Sequence, residues 1–63
     1  MSPMNQRWFT EGDRVIARGR YALVIAAMFD AQGQDVKVLP EAEGEPFWIG
    51  HDQLTLVRAA EAR

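Results

Sequence analysis

Tyr21-Ala22-Leu23-Val24-Ile25-Ala26-Ala27-Met28-Phe29 is the longest apolar run in the chain, and two backbone conformations compete for it. Ala22, Leu23, Ala26, Ala27 and Met28 all tolerate a two-turn helix. The Val24-Ile25 pair, the aromatic ends and the lack of a polar side oppose it. A surface helix needs a polar stripe, and β-branched side chains lose rotamer freedom in helices. The run is therefore read as a strand, with Tyr21, Leu23, Ile25, Ala27 and Phe29 on one face and Ala22, Val24, Ala26 and Met28 on the other. Both faces are apolar, so the strand needs cover on its outer side as well as its inner one.

The segments around this run are short. Glycines at positions 12, 19, 33, 44 and 50 divide the chain at the spacing of strands and turns, too close together for ordinary helices. Arg14-Val15-Ile16-Ala17 reads as a first strand with Val15 and Ala17 on one face. Asp30–Gln34 reads as a polar turn in which Gly33 supplies a positive φ. Asp35-Val36-Lys37-Val38-Leu39 alternates polar and apolar, as a half-buried strand does, and Pro40, which cannot donate to a ladder, either ends it or marks it as an edge strand. Glu41–Pro46 is an acidic loop. Phe47-Trp48-Ile49 is a short strand stopped by Gly50, His51–Gln53 a turn or one 3₁₀ turn, and Leu54–Val57 the last strand.

The chain has 63 residues and 7.1 kDa, which allows one domain and a marginal core. With no cysteine there is no disulfide or thiolate metal site, and one histidine excludes a multi-histidine site within one chain. No metal or cofactor is expected. Residues 1–28 carry four arginines against Glu11 and Asp13, a charge of +2, and residues 29–63 carry three cations against seven acids, a charge of −4. The total of −2 gives no general drive toward nucleic acid or an anionic membrane. No apolar run reaches the ~20 residues of a membrane span, no secretory leader is visible, and the cytoplasm is the expected compartment.

Two stretches carry a family resemblance. Phe9-Thr10-Glu11-Gly12-Asp13-Arg14-Val15-Ile16-Ala17 resembles the Gly-Asp-x-Val first strand shared by KOW, Tudor-like and related SH3-like barrels. Phe47-Trp48-Ile49-Gly50-His51-Asp52-Gln53-Leu54-Thr55-Leu56-Val57 resembles their closing sequence of aromatic strand, turn and final strand. The resemblance covers residues 9–57 and implies an all-β, five-stranded SH3-like small barrel. The expected organisation is then a flexible tail over 1–8, a barrel over 9–58 and a second flexible tail over 59–63. Gly12-Asp13-Arg14-Val15 also resembles the opening of the type II plasmid dihydrofolate reductases. In that family a tetramer lines a central pore with a Val-Gln-Ile-Tyr segment. The matching Pro46-Phe47-Trp48-Ile49-Gly50 has neither glutamine nor tyrosine, so the resemblance stops short of the residues that hold substrate and cofactor.

Alternation turns Phe47 and Ile49 inward and leaves Trp48 outside. An outward tryptophan on a short strand is a favoured interface residue. Its competing structural role is to be covered by Arg7-Trp8-Phe9. Trp48, Tyr21, Trp8 and His51 are the candidate protein-binding residues, with His51 otherwise solvated beside a turn shaped by Asp52. Arg14, Arg18 and Arg20 are the candidate nucleic-acid contacts. Arg14 and Arg18 share strand parity, and arginines beside aromatics hold single strands by phosphate contact and base stacking. Their competing role is to pair with Glu11, Asp13 and the acidic loop. The only serine, Ser2, lies in the N-terminal tail, so no catalytic triad is expected. The expected function is a non-enzymatic module that binds another protein, as a homo-oligomer. A KOW- or Tudor-like nucleic-acid binder is the alternative, and an oligomeric reductase the third reading.

Overall fold

The computed structural model describes residues 8–60. It is all-β, a single antiparallel sheet of five strands: β1 (Arg14–Ala17), β2 (Arg20–Asp30), β3 (Gly33–Pro40), β4 (Phe47–Gly50) and β5 (Leu54–Arg58). One 3₁₀ turn, His51–Gln53, joins the last two strands. The order across the sheet is β4-β3-β2-β1-β5. β4 and β5 are its two edges and make no ladder with each other. Residues 1–7 and 61–63, the outer parts of the two expected tails, lie outside the described residues.

The apolar run is a strand, extended by one residue at each end. Its inner side chains Ala22 and Val24 are buried against Val15 and Ala17 of β1, Val36 and Val38 of β3 and Ile49 of β4. Phe9, Phe47 and Leu54 close over this cluster. Valines make up most of the core, Val15 on β1, Val24 on β2 and Val36 and Val38 on β3.

The expected parity of β2 holds only for its first half. Val24 pairs with Val38, but Ala26 pairs with Lys37, so Ile25 is an extra residue in a β-bulge. Beyond it the faces exchange. Ala27 pairs with buried Val36 and Phe29 with buried Gln34, so both lie on the core side. Ala26 and Met28 pair with the exposed-face residues Lys37 and Asp35.

The β1–β2 connection is a two-residue turn, Arg18-Gly19, with Ala17 paired to Arg20. Both turn residues have positive φ (55° and 80°), as a type I′ hairpin requires. Arg18 therefore lies beyond the strand, and its expected parity with Arg14 is replaced by the geometry of the turn. The β2–β3 turn is held by Asp30, whose Oδ1 accepts the Gln32 N–H at 2.9 Å.

Two buried polar side chains hold the flanks of the sheet. Asp13 is 1% exposed. Its Oδ2 accepts the Thr10 N–H at 3.0 Å, and its Oδ1 accepts the Ala60 N–H at 2.7 Å. Gln34, 3% exposed, makes a paired contact with the Phe9 backbone. The Phe9 N–H donates to its Oε1 and its Nε2 donates to the Phe9 carbonyl, both at 2.8 Å. Gln34→Ala leaves two backbone groups without these partners, and we expect it to lower stability by about 2 kcal/mol. Urea titration measures the loss. Unchanged stability would mean that water serves Phe9 equally well.

Candidate interaction surface

The second apolar face of β2 lies on the outer side of the sheet. Leu23 stands there between Leu39 of β3 and Arg14 of β1, and Tyr21 stands beside Ile16. After the bulge the same face continues through Ala26 and Met28, next to Lys37 and Asp35 of β3 and then Trp48 and Gly50 of β4. Tyr21, Leu23, Met28, Leu39 and Trp48 are all exposed, Tyr21 at 50% and Trp48 at 44%. The alternation of side chains along β2, β3 and β4 places these residues; no loop is needed to present them.

Of the four expected protein-binding residues, Trp48 and Tyr21 share this face. Trp8 and His51 stand elsewhere, at the end of the sheet beside the β2–β3 turn. The Trp8 ring meets Phe29 edge-on at 5.1 Å and His51 at 5.2 Å. His51 is half-buried instead of solvated. Its Nδ1 lies 3.2 Å from the Gln34 N–H, which it accepts in one tautomer, and 3.1 Å from the Gln34 carbonyl, to which it donates in the other. The ring also fills the space over Gly33, where a Cβ would fall 2.5 Å from His51 Cε1.

The three arginines do not form one basic stripe. Arg14 forks onto Glu41, Nε to Oε2 at 2.8 Å and Nη2 to Oε1 at 3.0 Å, and lies over the Tyr21 ring at 4.5 Å. The hydrogen bonds to Glu41, followed by its negative charge, raise the Arg14 pKa above its ordinary value. Arg18 stacks on the Phe47 ring at 4.5 Å. Arg18 and Arg20 then line a groove of about 300 Å³ between the β1–β2 turn and the β3–β4 loop, together with Tyr21, Phe47, Glu43 and Glu45. Pairing of an arginine with the acidic loop is thus seen at Arg14, whereas both Asp13 oxygens are occupied by backbone N–H groups.

Among the described residues, no group of three or more His, Cys, Asp or Glu is placed to hold a metal ion. No helix among them is long and apolar enough to cross a membrane. Sequence reasoning named none of Leu23, Leu39, Met28 and Lys37 as candidate binding residues. The signal for three of them was present in the alternation of β3 and the two-sided apolar character of β2. Compared with known proteins, the chain matches no family model, no curated protein and no solved structure.

Proposed function

We propose that this chain is a non-enzymatic interaction module on an SH3-like small barrel, binding another protein through the outer face of β2, β3 and β4. The order β4-β3-β2-β1-β5 and the 3₁₀ turn before the last strand support the barrel reading. One observation carries the functional reading. Tyr21, Leu23, Leu39 and Trp48 are exposed on the same side of one sheet, where a protein working alone would present polar side chains. The engaged arginines favour this over nucleic acid. A phosphate chain approaching Arg14 or Arg18 would also meet Glu41, Glu43 and Glu45.

Trp48→Ala tests the reading. The side chain stands outside the core, so the melting temperature should change little, while protein binding should weaken by about 2 kcal/mol or more. Capture from a host extract with wild-type and variant baits, next to titrations with single-stranded RNA and DNA, gives the outcome. Equal retention of protein by both baits overturns the reading. So does tight, steeply salt-dependent binding to a single strand, which would return the alternative.

A further inference from the structure

Three adjacent strands carry opposed pairs on the outer face, two residues apart along each strand. On β4 the pair is Trp48 and Gly50, on β3 Lys37 and Asp35, and on β2 Ala26 and Met28. Trp48, Lys37 and Ala26 form one cross-strand row, and Gly50, Asp35 and Met28 form another. Between them runs the row Ile49–Val36–Ala27, whose side chains lie on the core side. Two of the pairs are complementary in themselves, an ammonium beside a carboxylate and a methyl beside a long thioether, while Asp52 Oδ1 and Gln53 Nε2 stand over Gly50, 3.0 and 3.6 Å from where a Cβ would lie. Among the described residues, no ion pair engages Asp35 or Lys37. The Lys37 ammonium lies 5.8 Å from the centre of the Trp48 ring.

We infer that a second copy of this chain covers this face. The copies are related by a two-fold axis that lies in the interface and runs across the strands above the Ile49–Val36–Ala27 row. This rests on the protein-binding reading above and names the partner. Rotation about that axis lays each row over the opposite row of the other copy. Lys37 then faces Asp35 of the partner subunit and Ala26 meets Met28 of the partner subunit, while Trp48 comes against the side chains that stand over Gly50 of the partner subunit. Two-fold interfaces are self-complementary in this sense, each contact occurring twice. The twisted antiparallel sheets pack face to face with their strands nearly aligned. An unrelated partner would give no reason for the two rows of one chain to complement each other. A stable interface takes about 800 Å² from each partner. That is a little under one fifth of the 4414 Å² this chain exposes.

Sedimentation equilibrium of the purified protein across the micromolar range should give twice 7.1 kDa. Lys37→Asp sets carboxylates against carboxylates at two symmetric places, and Asp35→Lys sets ammonium groups against each other. Each variant alone should dissociate by more than about 100-fold relative to wild type. An equimolar mixture of the two should form a heterodimer, because every reversed charge then meets its complement. Circular dichroism of each variant in dilute solution confirms that these surface changes leave the fold in place. A monomeric wild type overturns the inference, as do a dimer indifferent to either single change and a mixture that stays monomeric. A monomeric wild type whose capture of another protein still depends on Trp48 would sink self-association and leave the protein-binding reading standing.

Discussion

Asp13→Ala is expected to unfold the protein or lower its melting temperature by about 12 °C or more, a loss of roughly 3–5 kcal/mol at about 4–8 °C per kcal/mol. The carboxylate is almost fully buried and accepts two backbone N–H groups, from Thr10 and Ala60. Hydrogen bonds to a charged acceptor contribute about 1.5–3 kcal/mol each, and their loss leaves two donors facing a cavity. A chain of this length has a total stability of only about 3–9 kcal/mol to lose. Asp13→Asn separates charge from shape. The amide keeps one acceptor oxygen but points an NH₂ group at the other N–H, so the variant should recover less than half of the loss. Thermal melts decide the matter, and a change within a few degrees for Asp13→Ala would show that the carboxylate is not the staple its geometry indicates.

The second large effect is expected at Gly33. Its φ of +133° lies in a region open to glycine and strained for other residues, and an added Cβ would fall 2.5 Å from His51 Cε1. The backbone strain alone is worth about 1–3 kcal/mol, and moving His51 from beneath Trp8 adds to it. Gly33→Ala should therefore cost about 3 kcal/mol or more. The two causes separate in a double-mutant cycle with His51→Ala. Removing the ring makes room for the methyl group but leaves φ unchanged, so the double variant should be more stable than the sum of the single changes predicts, by about 1 kcal/mol. Strict additivity would show that the ring does not press on this position.

The parts of the fold legible in the sequence were those with a one-sided pattern. Val15 and Ala17 alternate with bulkier or charged neighbours, and Phe47 and Ile49 flank Trp48, so period two settled which way each points. The bulge at Ile25 was not legible for the opposite reason. A run that is apolar on both faces looks the same after its parity slips by one, and no glycine or proline marks the place. Gln34 was missed because its partner Phe9 is 25 residues away along the chain, and Asp13 because only Thr10 is local while its second partner, Ala60, is 47 residues away. Nothing in a polar residue's own neighbourhood announces that a distant backbone will bury it. The site was half legible. Trp8, Tyr21, Trp48 and His51 were grouped by residue type, and the sheet register assigns two of them to the outer face and two to its end. Asp35 and Lys37 resembled the ordinary polar side of a half-exposed strand until their registers with Trp48, Gly50, Ala26 and Met28 were known.

The Asp13 carboxylate has a topological consequence. It holds Thr10 with one oxygen and Ala60 with the other, so the chain enters and leaves the sheet within the span of one carboxyl group and two hydrogen bonds. Thr10 and Ala60 are therefore neighbours, Trp8 lies two residues out from Thr10, and the sheet could be carried as an insert in a host loop without spreading the loop's ends far. A short linker joining those two points, with new termini opened at Arg18-Gly19, should give a circular permutant that keeps all five strands.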